Sequence, residues 1–286
     1  MLVVASPVEV RELSRCARKS GRTIGVIPTM GALHDGHVSL VRYARADCDF
    51  VIATIFVNPT QFGPNEDFSR YPRTLEADLE LCRSAGADLV FTPDVTQMYG
   101  PTAQTSVRVS KLSLPFEGAH RPGHFDGVST VVAKLFLITE PDRAYFGQKD
   151  YQQQLIIRQM VIDLDFGLQI VTCPIVREPD GLAMSSRNRY LEPDDRRIAS
   201  EIFQTLLLAE SLALTSNLTA SQISVRMQER LRSIEGMELS YAEVVDEATL
   251  EPLTDRPLEA VALIAVRVGT TRLIDNMRIR FSNQSP

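Results

Sequence analysis

The regular alternation of short apolar runs with amphipathic segments over residues 1–175 constrains the fold more than any other feature of this sequence. The apolar runs predict β-strands, and between them apolar residues recur at helical spacing. Strands that alternate with helices are typical of a parallel α/β sheet, and strands that are apolar throughout indicate that helices cover both faces. The predicted strands span residues 23–27, 50–57, 88–91, 143–146 and 168–176, and the predicted helices span residues 7–18, 37–46, 73–85, 128–138 and 151–164.

The pattern changes after residue 175. A polar segment is followed by two amphipathic helices and then by three strands, an order that is typical of an α+β arrangement. We therefore predict an α/β domain over residues 1–175 and a smaller α+β domain over residues 176–286. The predicted helices of the second domain span residues 193–214 and 220–234, and its predicted strands span residues 239–245, 258–266 and 272–279.

Composition excludes some classes of function. The 286 residues carry a formal net charge of −6, which argues against a general nucleic-acid binder with a basic stripe. The four cysteines show no metal-ligand spacing and fit reduced thiols. The first residues lack the basic stretch of a signal peptide, and the longest apolar run elsewhere, residues 260–266, is far shorter than a membrane span. We expect a cytoplasmic protein with no membrane and no nucleic-acid partner.

All four histidines lie in two short stretches, and the first stretch indicates phosphate chemistry. His34 and His37 follow the predicted strand 23–27 and precede an amphipathic run, so they lie where a strand ends and a helix begins. The backbone N–H groups and the helix dipole at such a junction favour a bound phosphate. Gly31 and Gly36 let a ligand approach the backbone closely.

Two alternatives remain open for this histidine pair. It could belong to a loop of two solvated histidines, since histidine by itself is intermediate in burial. His34 and His37 could also share one face and bind zinc, with His120 or His124 as the third ligand. The proline and glycine between His120 and His124 prevent the helix that would align them, which argues against zinc.

Two more polar segments follow predicted strands, which is where ligands bind in open α/β sheets. Asn58 and Gln61 could hold a hydroxyl or carboxylate through their amide groups, or could serve only to form a turn. Lys149 lies near another strand end and is a candidate phosphate ligand, and Gly147 allows close approach. Asp150 could contact a metal ion or a ribose, or could be a simple N-terminal helix residue.

The polar segment at residues 177–188 contains two serines followed by an arginine. Ser185, Ser186 and Arg187 could wrap phosphates through hydroxyl, backbone N–H and guanidinium groups, or the segment could be an interdomain linker. The sequence contains neither a Walker-type phosphate loop nor a G-x-G-x-x-G fingerprint. We expect these loops to form one pocket that is rich in phosphate-binding groups, with Arg121 as a further donor.

Two motifs carry a resemblance to a known superfamily. His34-Asp35-Gly36-His37 resembles the H-x-G-H signature of the nucleotidyltransferases related to class I aminoacyl-tRNA synthetases. The segment Met184-Ser185-Ser186-Arg187 resembles their K-M-S-K-S signature, with Ala183 in place of the first lysine. Within this superfamily the chain is most similar to the pantoate–β-alanine ligase family, through blocks at residues 28–37, 55–62, 71–74, 121–132, 146–153 and 177–191.

The resemblance implies a reaction in two steps. The carboxylate of pantoate attacks the α-phosphate of ATP and gives pantoyl adenylate and pyrophosphate, and Mg²⁺ accompanies the ATP. The amine of β-alanine then attacks the acyl carbon and releases pantothenate and AMP. The resemblance also implies a Rossmann-like nucleotidyltransferase domain over residues 1–175, a domain over residues 176–286 that caps the active site, and a homodimer in the cytoplasm.

The resemblance further implies a set of site residues and no metal site made by the protein alone. The implied catalytic residues are His34, His37, Lys149 and Arg187, with His37 as the proton donor. The implied pantoate-binding residues are Gln61, Gln153, Asn58 and Arg121, with Gln61 also near β-alanine. The implied ATP-binding residues are Met30, Gly31, Ala32, Leu33, His34, Asp35, Gly36, His37, Gly147, Gln148, Lys149, Asp150, Val176, Met184, Ser185, Ser186 and Arg187.

Two other functions stay open at this point. The first is a cytidylyl- or adenylyltransferase, which would stop at the nucleotide adduct. The second is a non-catalytic, synthetase-like RNA-binding module, which the charge of −6 and the absence of tryptophan and of a basic tail disfavour.

Overall fold

The computed structural model describes residues 1–64, 66 and 68–282. The chain divides into two compact units. The first unit contains Met1–Gln148 and Gln152–Pro174, and the second contains Lys149–Tyr151 and the residues from Ile175 onward. The three residues after Gln148 thus group with the second unit, although they lie within the first predicted domain.

A six-stranded, wholly parallel sheet forms the centre of the first unit, in the strand order β1-β4-β3-β2-β5-β6. The predicted Rossmann-like α/β fold is therefore confirmed. Its strands are β1 Leu2–Val4, β2 Ile24–Thr29, β3 Phe50–Ile55, β4 Leu89–Phe91, β5 Arg143–Gly147 and β6 Gln169–Cys173. Its helices are α1 Pro7–Lys19, α2 Asp35–Asp47, α3 Leu75–Ala85, α4 Val95–Met98, α5 Glu117–His120, α6 His124–Thr139 and α7 Tyr151–Asp163.

Helices cover both faces of this sheet. Successive residues of a strand point to opposite faces, and the apolar residues on each face are buried. In β2, Val26 belongs to one buried cluster and Ile27 to another, and in β3 Ile52 and Val51 are divided in the same way. The first cluster includes residues of α1, α6 and α7, and the second includes residues of α2 and α3. A strand buried on both faces reads as a continuous apolar run, which is the pattern found in the sequence.

The strand order reverses between β2 and β5, and this reversal positions the site. From β2 the chain proceeds to β3 and β4 on one side, and then to β5 and β6 on the other. Gly25 pairs with Arg143 and Val26 with Ala144, so the carboxyl ends of β2 and β5 lie side by side. Ligands of open α/β sheets bind in the crevice at such a reversal.

The second unit consists of a three-stranded antiparallel sheet and two helices that pack on it. Its elements are α8 Pro193–Thr215, α9 Ala220–Arg232, β7 Met237–Val245, β8 Glu259–Val268 and β9 Thr271–Arg280. The α+β arrangement predicted for this region is confirmed. In the described part of the chain, α8 alone is long and apolar enough to span a membrane by length and composition. Its face with Ala199, Ile202 and Leu206 instead lies in the core of this unit.

Candidate active site

The histidine pair lies at the junction of β2 and α2, as predicted. The segment that joins these elements, residues 30–37 including the first helical turn, is called the histidine loop here. His34 is the N-cap of α2, with extended backbone, and its carbonyl accepts the backbone N–H groups of His37 and Val38 at 2.8 and 3.1 Å. The two half-buried imidazole rings lie 4.1 Å apart between centroids, so both face the same end of the helix.

The histidine loop adopts an unusual backbone conformation. Gly31 has φ +79° and Ala32 has φ +49°, a region in which alanine is uncommon because its Cβ crowds the backbone. A Cβ on Gly31 would also lie 3.0 Å from both Asp78 Oδ2 and Ile55 Cγ2. The loop therefore requires glycine at position 31 and an outside contact that offsets the strain at Ala32.

Asp78 provides that contact, and sequence reasoning missed it. Its Oδ2 accepts the backbone N–H of Ala32 at 2.9 Å, and its Oδ1 accepts that of Leu33 at 2.8 Å. The side chain is only 2% exposed and also accepts the hydroxyl of Thr74 at 3.1 Å. A signal was present in the sequence, because Asp78 lies on the buried stripe of α3 with Cys82 and Ala85. A charge on an apolar stripe indicates a buried polar partner.

Gln61 lies beside the histidine loop, in a short 3₁₀ turn at Pro59–Gln61 that follows β3. Its side chain is nearly buried, with Nε2 3.1 Å from Met30 Sδ and Oε1 accepting Asn58 Nδ2 at 3.1 Å. The structure therefore brings together Gln61 and Met30, two residues predicted for different substrates. An amide here can donate to one ligand oxygen and accept from a hydroxyl.

Asn58 supports this turn from within the protein. It is 1% exposed, and it caps the turn by accepting the N–H of Thr60 at 3.3 Å. Its Oδ1 also accepts the Tyr99 hydroxyl at 2.8 Å, and its Nδ2 donates to Gly127 O at 3.2 Å. These contacts use the amide to fix the turn, so the turn-forming interpretation of Asn58 is confirmed. A direct contact of Asn58 with pantoate stays a prediction.

Arg121 is engaged with other side chains. Its Nε and Nη2 donate to the two carboxylate oxygens of Glu66, each at 2.7 Å, and its Nη1 lies 3.0 Å from His124 Nε2. A direct contact of Arg121 with pantoate stays a prediction. His120 ends α5 and His124 begins α6, and no cluster of three or more metal-ligating side chains occurs among the residues described. The zinc alternative therefore finds no support there.

The carboxyl end of β5 is the last predicted site segment in the first unit. β5 ends at Gly147, and the next N–H, that of Gln148, donates to Cys173 O at 2.8 Å. Gln153 lies half-buried in the first turn of α7. Because β2 and β5 are neighbours, Gly147 and the start of the histidine loop lie at the same edge of the sheet.

In the second unit, a hydrogen bond to its backbone carbonyl holds Lys149 in place. Its carbonyl accepts Asn276 Nδ2 at 2.8 Å, and its side chain, 20% exposed, has Nζ 3.8 Å from Asp150 Oδ1. The adjacent Asp275 is almost fully buried and pairs with Arg177 at 2.5 Å. Burial raises the pKa of the Asp275 carboxyl, and the hydrogen bond and charge of Arg177 oppose that effect. Asn276 gave no sequence signal, because its partner is 127 residues away.

The segment with the two serines forms an ordered hairpin rather than a linker. Arg177 and Ala183 form a β-bridge, and the N–H of Met184 donates to Val176 O at 3.0 Å. Ser185 then caps a 3₁₀ turn at Ser186–Tyr190, in which Ser186 and Arg187 are half-buried. The interdomain-linker alternative is wrong for this segment, because the segment lies inside the second unit.

A network of polar side chains around the buried Asn188 supports this hairpin. Asn188 Nδ2 donates to Glu178 Oε1 at 2.7 Å and to Ala183 O at 3.0 Å. Arg196 donates to Glu178 and to Asp180, each at 2.7 Å. The hydrogen bond from Arg196 lowers the pKa of the Asp180 carboxyl, so this carboxylate stays charged. Ser185 to Arg187 therefore extend from a hairpin whose base is fixed on both sides.

Comparison with known proteins gives a consistent result. A family model described as pantoate-beta-alanine ligase matches residues 2–278. A pantothenate synthetase of Thermotoga neapolitana is 50% identical over 276 residues, which cover 96% of this chain and 99% of the relative. The crystal structure of pantothenate synthetase from Thermus thermophilus is similar at a TM-score of 0.91 and 45% identity, covering 97% of this chain and 99% of the other. A pantoate-beta-alanine ligase from Francisella tularensis, described as complexed with beta-gamma ATP and β-alanine, is similar at a TM-score of 0.79 and 34% identity, with 97% of each chain covered.

Proposed function

Because the chain belongs to the pantoate–β-alanine ligase family, we propose that it condenses pantoate with β-alanine at the expense of ATP. The products are pantothenate, AMP and pyrophosphate, and the enzyme is an AMP-forming carbon–nitrogen ligase. One observation carries the assignment most directly. The histidine loop presents two imidazoles at a helix N-terminus, and its Met30 contacts the amide of Gln61, so groups suited to a phosphate and to a hydroxy acid are adjacent.

In the first step, a carboxylate oxygen of pantoate attacks the α-phosphorus of ATP. The bond from the α-phosphorus to the bridging oxygen breaks, and pyrophosphate leaves with the electron pair. Negative charge grows on the phosphoryl oxygens and on the leaving group, so fixed donors accelerate the step. His34 and His37 are the donors that we assign to this charge, with His37 donating to the departing pyrophosphate.

Gln61 and Gln153 bind pantoate in this proposal. Each amide offers one acceptor and two donors, which matches a substrate with hydroxyl groups and a carboxylate. In the second step the amine of β-alanine attacks the acyl carbon, a C–N bond forms, and the bond between the acyl carbon and the AMP oxygen breaks. We also assign Gln61 to β-alanine, as the family resemblance implies.

The second unit supplies the groups that we assign to the β- and γ-phosphates. They are Lys149, Ser185, Ser186 and Arg187, and the assignment rests on the resemblance of the serine segment to the K-M-S-K-S signature. A guanidinium and an ammonium bind phosphate through charge-assisted hydrogen bonds. The fixed base of the hairpin keeps Ser185, Ser186 and Arg187 oriented before the nucleotide binds.

We propose that Mg²⁺ enters with ATP as part of the substrate. Mg²⁺ retains several waters and usually takes only one or two protein carboxylates besides the phosphates. Asp150, whose side chain is half exposed, is the carboxylate next to Lys149 that could contact the ion or its waters. When bound, the ion neutralises charge on the leaving phosphates.

Product analysis tests the reaction. The protein is incubated with ATP, Mg²⁺, pantoate and β-alanine, and nucleotides and acids are separated by chromatography. We expect AMP and pantothenate in equal amounts, each dependent on both acids. A stable nucleotide adduct of pantoate in place of AMP would instead indicate a transferase that stops after the first step. Retention on RNA at moderate salt without AMP formation would indicate a nucleic-acid-binding module.

We also propose a cytoplasmic homodimer. The cytoplasmic location is supported by four free thiols, three of them buried. Burial raises the pKa of Cys82 and of Cys173 to about 11, so both thiols stay protonated and unreactive near neutral pH. The dimer rests on the family resemblance. Light scattering of the purified chain at micromolar concentration measures it, and a monomer mass would exclude it.

A further inference from the structure

His124 is a buried histidine that the proposed mechanism does not use. It is the first residue of α6 and only 8% exposed. One ring nitrogen faces Arg121, and the other faces the backbone carbonyl of Gln61. The charged groups around the ring are Arg121, Glu66 and Glu117. An imidazole with a partner at each nitrogen has a defined tautomer, and the partners determine which one.

The partners of His124 leave one tautomer. A guanidinium only donates hydrogen bonds, so Nη1 of Arg121 donates to His124 Nε2 across 3.0 Å. Nε2 therefore carries no proton, and the neutral ring carries its proton on Nδ1. That Nδ1–H donates to the Gln61 carbonyl oxygen at 2.8 Å. Burial, and then the charge of Arg121, lower the pKa of His124 to about 4, so the ring remains neutral near pH 7.

Glu66 fixes Arg121 from the other side. Both carboxylate oxygens accept from the guanidinium, at 2.7 Å each, in the bidentate geometry that is the most directional ion pair. The two side chains are only 15% and 25% exposed, so water competes weakly for them. Burial tends to raise the pKa of Glu66, but the hydrogen bonds and charge of Arg121 outweigh it and hold the pKa below its usual value.

These contacts end on the backbone of a residue assigned to two substrates. Gln61 is the last residue of the 3₁₀ turn, and its carbonyl is the group that His124 holds. The side chain of Gln61 branches from the same Cα, so a shift of that carbonyl moves the amide that would contact pantoate. A shift of about 1 Å in a positioning group can lower a rate about 100-fold.

We propose that Glu66, Arg121 and His124 form a support chain that holds Gln61 in the orientation that binds pantoate. The inference rests on the proposed function, and it makes Arg121 and His124 positioning residues that act through Gln61. The guanidinium orients the ring, and the ring holds the carbonyl.

Two near-isosteric variants of His124 test its two ring nitrogens separately. In His124→Asn, the amide nitrogen replaces Nδ1 and retains the donor to Gln61. In His124→Gln, the longer amide replaces Nε2, and the Gln61 carbonyl loses its donor. We expect His124→Gln to raise the KM for pantoate about 5- to 100-fold, as for a buried acceptor left unsatisfied, with the KM for ATP changed less than about twofold. His124→Asn should restore most of the pantoate affinity.

The far end of the support chain gives an independent test. Glu66→Gln removes the charge and one of the two hydrogen bonds to Arg121, without touching Gln61. It should raise the KM for pantoate, and less than His124→Gln does. Glu80→Gln is the matched control, because Glu80 is 70% exposed and pairs with Arg83 one turn away in α3. That control should leave both KM values unchanged.

A merely structural role for His124 predicts a different result. It would lower the melting temperature and change the KM of both substrates alike, or affect the Asn and Gln variants equally. Either result would overturn the proposal. The tautomer can be read without any activity, from imidazole ¹⁵N shifts of the whole protein, where we expect a protonated Nδ1. A protonated Nε2 would overturn the support chain. Wild-type protein whose activity does not depend on pantoate would overturn the proposed function alone.

Discussion

Two buried polar side chains fix the backbone of the groups to which we assign ligand binding. Asp78 accepts two consecutive N–H groups of the histidine loop, and His124 donates to the carbonyl of Gln61. Either side chain can affect substrate binding without contacting a substrate. Backbone geometry that costs energy, such as the positive φ of Ala32, persists only when neighbours hold it in place.

Replacing Asp78 with asparagine should loosen the histidine loop. One oxygen would remain to accept an N–H, but the new amide group would face the second N–H with a donor. A buried donor left unsatisfied costs about 1–3 kcal/mol, so the free energy of unfolding should fall by that amount. Urea titration followed by circular dichroism measures it. Glu76→Gln, on the exposed side of the same helix, should have no effect, and an equal loss in both variants would contradict the role of Asp78.

Replacing His37 with alanine should slow adenylate formation. The variant lacks the donor assigned to the departing pyrophosphate, and loss of such a group costs about 10²- to 10⁴-fold in rate. Single-turnover formation of pantoyl adenylate from ATP and pantoate measures the step. His37→Asn, which retains an N–H donor, should lose less. An alanine variant with the wild-type rate would remove His37 from the mechanism.

His124 should make the protein less stable in acid. Burial and the charge of Arg121 lower its pKa from 6.5 to about 4, so between these values the unfolded chain binds a proton that the folded chain does not. The stabilisation is fully present above about pH 6.5 and is lost as the pH falls toward 4. The free energy of unfolding lost by pH 5 is about 2 kcal/mol. Urea titrations at pH 7.5 and at pH 5 measure the free energy of unfolding. The difference between the two values should be smaller in His124→Asn than in the wild-type protein. An unchanged difference would contradict the buried neutral ring.

At the scale of elements, α6 determines the position of the 3₁₀ turn through three contacts. His124 donates to Gln61 O, and Gly127 O accepts the side chain of Asn58. The backbone of the turn also lies directly against Gly127, where a Cβ would be 2.5 Å from Thr60 O and 2.7 Å from Gln61 Cα. The N-terminal turns of one helix thus support both amides that the sequence analysis singled out.

Replacing Gly127 with alanine should displace the 3₁₀ turn. The added methyl group meets backbone rather than a flexible side chain, so α6 and the turn must separate, at a cost of about 1–3 kcal/mol. We expect the KM for pantoate to rise by about tenfold, which corresponds to about 1.4 kcal/mol, with little change for ATP. Gly167→Ala is the control, because a Cβ there meets nothing within 4 Å. Equal KM values in the two variants would contradict the role of this contact.

The long elements could be predicted from the sequence because each buries a periodic apolar face. All predicted helices and strands occur, with ends that differ by a few residues; α6 begins at His124 rather than at residue 128. Three of the short elements were missed, although the three-residue strand β4 was predicted. β1 has three residues, and α4 and α5 have four each, too few for a periodic pattern to be distinguished from chance.

At the scale of the whole molecule, the sequence indicated the segments to which we assign ligand binding, but not the residues that support them. The histidine loop and the Gln61 turn follow strands, so parallel-sheet geometry brings them to one edge. Asp78, Glu66 and Asn276 act on partners 46, 55 and 127 residues away, and no local pattern predicts such pairings. Arg121 illustrates the consequence, because its charge suggested a substrate anion while its bidentate partner in the fold is Glu66.

Exchange of labelled pyrophosphate into ATP tests the central claim, that the protein forms an adenylate of pantoate. The assay contains the full chain, ATP, Mg²⁺ and labelled pyrophosphate, with and without pantoate, and contains no β-alanine. Reversal of the first step incorporates label, so we expect exchange that requires pantoate. Absence of exchange when pantoate is present, or exchange that proceeds equally well without it, would contradict the formation of this adenylate.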